Sequence, residues 1–124
     1  MIAIDTSSWS AYLAGQTGAD VEHVARALEQ GRAVLPPVVL SELLSNPRLP
    51  TTAATLVLEL PVLELSEGYW ERAGRLRAKV LARGLRARLA DTLIAESCID
   101  HNVALVTRDP DFRHFAKLGG LELA

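Results

Sequence analysis

The chain opens with Met1-Ile2-Ala3-Ile4-Asp5-Thr6-Ser7-Ser8, a short apolar run followed by one acid and three hydroxyl residues. The apolar run predicts a strand over residues 1–5, and the hydroxyl residues are typical of a helix start. A second run, Val103-Ala104-Leu105-Val106-Thr107, predicts another strand, and Asp109 follows it. Ligands of open parallel sheets collect beyond the carboxyl ends of the strands. We therefore expect Asp5 and Asp109 to meet at one edge of a sheet.

Apolar runs and helical patterns alternate along the rest of the chain. Further strands are predicted at 33–35, 62–65 and 121–123, and helices near 7–14, 20–30, 37–46, 51–60, 67–83, 89–101 and 110–117. Strands separated by helices indicate a parallel sheet covered on both faces. The expected fold is α/β: one domain over residues 1–124, a Rossmann-like three-layer sandwich with a mainly parallel sheet of four to five strands.

Two more acids occupy positions that suggest a shared site. Glu42 lies in a helix that begins after Pro36-Pro37, and no basic residue stands three or four positions from it. Asp91 lies near the start of the helix at 89–101. Each acid alone also fits an ordinary role as a turn former, a helix-start residue or an exposed side chain. The joint placement of all four favours a metal-binding nuclease site.

Composition restricts the class of protein. The 124 residues are 49% hydrophobic, which is enough for one core without disulfides, and the chain has a single cysteine. No charged amino-terminal region leads into an apolar signal segment, and no apolar run is long enough to cross a bilayer. We expect a cytoplasmic protein without membrane contact.

Basic residues are concentrated in one part of the sequence, although the formal net charge is −2. Between Glu71 and Ala90 there is one acid against seven basic residues: Arg72, Arg75, Arg77, Lys79, Arg83, Arg86 and Arg88. If a metal neutralised the four acids, 13 basic residues would face 11 acidic ones. A polyanionic substrate is therefore compatible with the composition.

Four of these basic residues share one face of the predicted helix at 67–83. They are Arg72, Arg75, Lys79 and Arg83, and the first and last are separated by roughly 16 Å at about 1.5 Å per residue. This face is our candidate for RNA binding. A solvated face and a contact with a protein partner are the alternatives.

Four motifs stand in order along the chain. They are Asp5-Thr6-Ser7, Ser41-Glu42-Leu43, Ala90-Asp91-Thr92-Leu93-Ile94-Ala95 and Leu105-Val106-Thr107-Arg108-Asp109-Pro110-Asp111-Phe112. The set resembles the motifs of PIN-domain proteins, and most closely those of the VapC toxins of toxin–antitoxin pairs. The resemblance covers essentially the whole chain.

The resemblance implies a PIN fold and the toxin role in a type II toxin–antitoxin system. It further implies an Mg²⁺- or Mn²⁺-dependent endoribonuclease, a homodimer and inhibition by a VapB-type antitoxin. Carried over by motif, Asp5, Glu42 and Asp91 match the three shared acids, and Asp109 matches a fourth. Asp111 stands where a further acid often lies, but the loop here is one residue shorter, so the division of roles between Asp109 and Asp111 stays open.

The implied chemistry uses a hard cation among carboxylates and an activated water that attacks the scissile phosphate. Thr6 and Thr107 are candidates for orienting the carboxylates through hydroxyl hydrogen bonds. The sequence leaves open the RNA target, whether tRNA, rRNA or mRNA.

Two other functions are considered. A catalytically idle PIN-like module that binds nucleic acid or protein would be marked by loss of an acid, and all four are present. A phosphorelay receiver has similar length and an acidic Mg²⁺ pocket, but Val62-Leu63-Glu64-Leu65-Ser66 offers no phosphoacceptor aspartate.

Overall fold

Three short parallel strands form the centre of the fold in a computed structural model that describes residues 1–124. They are β1 (Ile2–Ile4), β2 (Ala33–Val34) and β3 (Ala104–Val106), in the order β2-β1-β3. Ile2 pairs with Ala33 on one side and with Ala104 on the other. The strand residues are almost all apolar and buried, as expected for a parallel sheet enclosed by helices.

Seven helices connect and surround the strands. They are α1 (Thr6–Leu13), α2 (Ala19–Glu29), α3 (Pro37–Leu44), α4 (Thr51–Leu58), α5 (Tyr69–Ala82), α6 (Leu89–His101) and α7 (Phe112–Gly119). Pro37 takes the first position of α3, where its missing N–H costs no hydrogen bond. None of the seven combines the length and apolar content needed to cross a membrane.

The predicted count of four to five strands is wrong, because the sheet has three. The predicted strands at 62–65 and 121–123 are reduced to single parallel bridges, Leu35 to Val62 and Leu105 to Leu123. At the first bridge Leu35 donates to Pro61 O at 2.9 Å and Leu63 donates to Leu35 O at 2.8 Å. Each edge segment pairs with one strand residue only, so no regular ladder forms.

One core joins the sheet to the helices. Its fully buried side chains include Trp9, Ile94, Leu105, Phe112 and Phe115. Gly119 lies at a close approach in this packing, because a Cβ there would stand 2.6 Å from Leu76 Cδ1. That contact brings the end of α7 against the middle of α5.

Helices α5 and α6 form an antiparallel hairpin, and its direction matters for the site. Arg72, in the first turn of α5, forms an ion pair with Asp100 in the last turn of α6, with Nη2 to Oδ2 at 2.7 Å. Asn102 ends α6 in the left-handed conformation with φ of 52°, a common helix stop. The carboxyl end of α5 and the amino end of α6 therefore lie together at the other end of the hairpin.

Candidate active site

Asp5 lies where β1 ends, and the fold buries it. Its backbone N–H donates to Val106 O at 2.9 Å, which joins the end of β1 to the end of β3. The side chain is 4% exposed, and its Oδ2 accepts hydrogen bonds from Ser7 Oγ at 2.7 Å and Thr107 Oγ1 at 2.9 Å. Burial raises the pKa of Asp5, and the two hydroxyl donors oppose that rise.

Thr107 links Asp5 to Asp109. Its Oγ1 donates to Asp5 and accepts the backbone N–H of Asp109 at 3.0 Å. Asp109 Oδ1 in turn accepts the backbone N–H of Asp111 at 2.9 Å, a local turn that precedes α7. One hydroxyl thus fixes the distance between the loop after β1 and the loop after β3.

Glu42 approaches the same edge from α3. Its Oε1 accepts a hydrogen bond from Thr6 Oγ1 at 2.6 Å, and Thr6 is the residue directly after Asp5. The Glu42 side chain is otherwise exposed. The two threonines proposed to orient carboxylates therefore contact different acids, Thr6 on Glu42 and Thr107 on Asp5.

Asp91 lies in the first turn of α6 and makes no hydrogen bond through its side chain to another residue. Burial, together with the charges of Asp5, Asp109 and Glu42, raises the pKa of Asp91 to about 6. The charge of Arg88 acts in the opposite direction. Asp91 thus experiences the field of all three other acids, and the fold brings the four acids to one end of the sheet from four separate segments.

We call Asp5, Glu42, Asp91 and Asp109 the acid cluster. None of the four forms an ion pair, because the three salt bridges of the structure join Arg72 to Glu96 and Asp100, and Arg108 to Asp20. Carboxylates that share one end of the sheet without a basic partner suit a hard divalent cation.

No three acidic, histidine or cysteine side chains stand close enough together to hold an ion as they are oriented here. Mg²⁺ commonly takes only one or two carboxylates and keeps several waters, so it does not require a closed cage. The residue types of the cluster are therefore those that such an ion takes as ligands. Asp111 lies next to the cluster, at the start of α7.

An arginine clamp holds the loop that carries Asp109. Arg108 Nε and Nη2 donate to Asp20 at 2.8 and 3.0 Å, and Nη1 donates to Gln16 Oε1 at 2.9 Å. Ser8, which is fully buried, also donates to Asp20 at 2.8 Å. The hydrogen bond from Arg108 is the main reason that the pKa of Asp20 is lowered to about 2. The clamp ties the loop after β3 to the connection between α1 and α2.

An open groove of about 240 Å³ begins beside the acid cluster. Its walls come from α1, α3 and the segment before α4, and they include Thr6, Glu42, Leu13, Leu43 and Leu49. The groove gives the cluster a partly apolar approach on its Glu42 side.

Comparison with known proteins shows to which family the chain belongs. The PIN domain family model matches residues 2–118. The chain belongs to the PIN domain family. Ribonuclease VapC11 of Mycobacterium tuberculosis and VapC ribonuclease Mb1587 of Mycobacterium bovis are each 32% identical to it over 131 aligned positions. Those alignments cover 100% of this chain and 98% of each relative, so within the PIN domains it is a member of the VapC family. This assignment replaces the phosphorelay receiver alternative.

Solved structures agree with the assignment at the level of the fold. VapBC2 from Rickettsia felis, solved with a DNA fragment from its promoter, superposes with a TM-score of 0.75 at 20% identity, covering 100% of this chain and 98% of that one. VapBC-5 from Mycobacterium tuberculosis gives 0.67 at 21% identity, covering 98% and 95%. Both are toxin–antitoxin complexes.

The four residues of the basic face predicted on α5 differ in their contacts. Arg72 is engaged with Asp100 and Glu96 at the end of the helix hairpin far from Asp91. Lys79 Nζ donates to Leu118 O at 3.4 Å, near the end of α7. Arg75 and Arg83 have no such partner, and only Arg83 lies at the end of α5 that adjoins the start of α6. Arg72 thus contributes to the packing of the hairpin, and its contact with RNA stays a prediction.

Sequence reasoning missed the arginine clamp and Ser7. Arg108 and Asp20 are 88 residues apart and neither matches a pattern that pairs them. Ser7 carried a signal, since a serine two residues after an acid at a helix start commonly bonds to that acid or to the backbone. It was interpreted only as a helix-start residue.

Proposed function

We propose that this chain is the toxin of a type II toxin–antitoxin pair and acts as a divalent-metal-dependent endoribonuclease. The observation that carries the proposal is the acid cluster: four carboxylates from four segments at the carboxyl edge of the sheet, with no basic partner. The likeness to two proteins named as VapC ribonucleases supports ribonuclease activity.

Each acid has a proposed role that follows from its surroundings. Burial raises the pKa of both Asp5 and Asp91, and these two would hold Mg²⁺ or Mn²⁺ directly. Glu42 is exposed and would orient a water, and Asp109 would support the ion from the loop after β3. Asp111, whose backbone N–H bonds to Asp109, is held next to the cluster and is a candidate for a second ion.

When bound, the cation supplies an acidified water as nucleophile and stabilises charge on the phosphate oxygens. The chain's own groups do the positioning. Ser7 and Thr107 fix the Asp5 carboxylate, and Thr6 fixes Glu42. Fixed carboxylates of this kind reduce the reorganisation needed during the reaction. No side chain of the cluster has to become a covalent nucleophile.

The partner proposed is a VapB-type antitoxin, because the similar structures are VapBC complexes. A homodimer and a cytoplasmic location are proposed on the family assignment. The groove beside Glu42 is open to the acid cluster, so an antitoxin segment lying there would compete with substrate. The substrate proposed is RNA, with the target transcript to be identified by mapping.

The test is cleavage of total bacterial RNA by the purified, antitoxin-free chain with Mg²⁺, with Mn²⁺ and with EDTA. Asp5→Asn is the inactive variant, and Glu59→Gln, an exposed acid at the end of α4, is the matched control. We expect discrete products with metal from wild type and Glu59→Gln, and none from Asp5→Asn or in EDTA. RNA that stays intact under every condition, or is cut equally by Asp5→Asn, would make this an idle PIN-like binding module.

A further inference from the structure

The connection between α5 and α6 carries three arginines and no acid. We call residues 83–88 the arginine loop; its basic residues are Arg83, Arg86 and Arg88. All three are exposed, and none forms an ion pair. Arg72 and Arg108, by contrast, are both committed to carboxylates within the fold. The arginine loop therefore presents cations that the fold itself does not use.

The antiparallel hairpin puts this loop at the acid end of the molecule. Arg88 is the residue that precedes the first turn of α6, and Asp91 lies three positions later in that turn. The charge of Arg88 reaches the Asp91 carboxyl. Yet the two are not joined by an ion pair, so Arg88 is free to meet another anion.

The backbone of the loop is held in place. Arg77 Nε donates to Ala87 O at 2.8 Å, and Thr92 Oγ1 donates to Arg88 O at 2.8 Å. Ala87 is buried and Leu85 packs against the core. The Arg88 side chain makes no capping hydrogen bond. The fixed loop thus holds its arginine side chains toward solvent, and those side chains are not needed for its shape.

Exposed arginines beside an acid cluster favour the binding of a polyanion. The carboxylates of the cluster repel the phosphates of an approaching RNA, and a bound cation offsets that repulsion only locally. Arginine at the rim of a nuclease site can bind the flanking phosphates in bidentate fashion. Phosphate contacts of this type position the nucleic acid without reading its sequence.

We propose that the arginine loop binds the RNA backbone beside the scissile phosphate. The inference rests on the proposed ribonuclease function and assigns substrate positioning to Arg86 and Arg88, with Arg83 extending the contact. It moves the expected RNA surface from the middle of α5 to the end of the helix hairpin that adjoins Asp91.

The test compares two double variants of equal charge change. Arg86→Ala/Arg88→Ala removes the loop contacts, and Arg26→Ala/Arg32→Ala removes two exposed arginines outside the loop, Arg26 in α2 and Arg32 directly before β2. Each is made in the Asp5→Asn background, and binding of a fluorescein-labelled single-stranded RNA of mixed sequence is followed by anisotropy. Thermal unfolding verifies that both variants are folded.

We expect the loop variant to bind about tenfold more weakly, and its slope of log Kd against log salt to fall by roughly 1.4, or about 0.7 per lost phosphate contact. The control should change the slope much less. Arg86→Lys/Arg88→Lys, which keeps the charges, should restore most of the slope. In the active background the loop variant should raise KM for cleavage more than it lowers kcat.

Equal losses in the loop variant and the control would overturn the proposal, since net charge alone would then explain the binding. Normal RNA binding with weakened binding of a VapB-type antitoxin would also overturn it, because the loop would be a protein contact. Wild-type cleavage run in parallel separates the two hypotheses. If wild type cuts RNA and the loop variant cuts it equally well, only the loop assignment fails.

Discussion

Replacing Thr107 with valine should weaken the connection between the two loops that carry Asp5 and Asp109. The hydroxyl donates to Asp5 Oδ2 at 2.9 Å and accepts the Asp109 N–H at 3.0 Å, and valine keeps the shape while removing both bonds. A hydrogen bond to an ionised carboxylate contributes about 1.5 to 3 kcal/mol, and a neutral one about 1. Burial of the added methyl group offsets about 0.8 kcal/mol.

The expected net loss is about 2 kcal/mol in the free energy of unfolding, measured by urea denaturation at neutral pH. Ser7 still donates to Asp5, so the carboxylate is misplaced rather than released. We expect the single-turnover rate of RNA cleavage to fall about 10- to 100-fold, the usual range for a residue that orients a metal ligand. Thr107→Ser keeps the hydroxyl and should retain most of both quantities.

Unchanged stability in Thr107→Val would refute the hydrogen-bond argument. A stability loss of the expected size with a wild-type cleavage rate would refute the functional part, because Thr107 would then only join two loops.

Three further predictions follow from individual contacts. In EDTA, Asp91→Asn should be more stable than wild type at pH values above about 7, because a pKa of about 6 against the ordinary 3.8 means that ionisation of Asp91 weakens the fold as pH rises through this range. Thermal unfolding at low and high pH checks this, and a variant that is less stable at high pH would contradict it. Arg108→Ala should lower the cleavage kcat with little change in KM, since the clamp positions Asp109, and a pure KM effect would argue against the clamp. The pKa of Asp20 is lowered to about 2, so the stability that the Arg108–Asp20 pair contributes should persist above pH of about 4 and disappear as the pH falls through about 2. Acid titration of wild type and Arg108→Ala can follow this loss. Trp9→Phe should change the free energy of unfolding by less than about 1 kcal/mol, because it removes a buried indole N–H that has no acceptor and leaves only a small void. Trp9→Ala should cost about 4 kcal/mol, and urea denaturation measures both changes. A large loss in Trp9→Phe would show that the indole N–H is bonded in solution.

Much of the acid cluster could be predicted because its acids are attached to regular elements. Asp5 directly follows one strand and Asp109 comes shortly after another, and parallel strands bring their carboxyl ends to one edge. Glu42 lies on a helix whose start is marked by proline, and Asp91 lies in the first turn of α6. Secondary structure alone was therefore enough to propose that these four segments converge.

The edges of the sheet could not be predicted in the same way. Residues 62–65 and 121–123 have strand-like composition, but whether a segment pairs over one residue or four depends on how far the chain follows its neighbour. That path is set by packing against the rest of the fold, which local propensity does not record.

The role of Arg72 illustrates a second limit. Helical spacing predicts that Arg72 and Arg83 share one helix, but α5 ends at Ala82 and Arg83 follows it. Spacing does not show which residues of the face approach the acids, and the ion pair with Asp100 places Arg72 at the far end. The arginine clamp was missed for a related reason, since its partners lie on loops far apart in sequence.

The most direct test of the acid cluster as the active site is the single-turnover rate of Mg²⁺-dependent RNA cleavage across four amide variants. These are Asp5→Asn, Glu42→Gln, Asp91→Asn and Asp109→Asn, with Glu59→Gln as the matched control and thermal unfolding as the check on folding. We predict that each cluster variant loses at least about 100-fold in rate while the control stays within about twofold. Near-wild-type rates in the folded Asp5→Asn and Asp91→Asn proteins would contradict the assignment of this cluster as the catalytic centre.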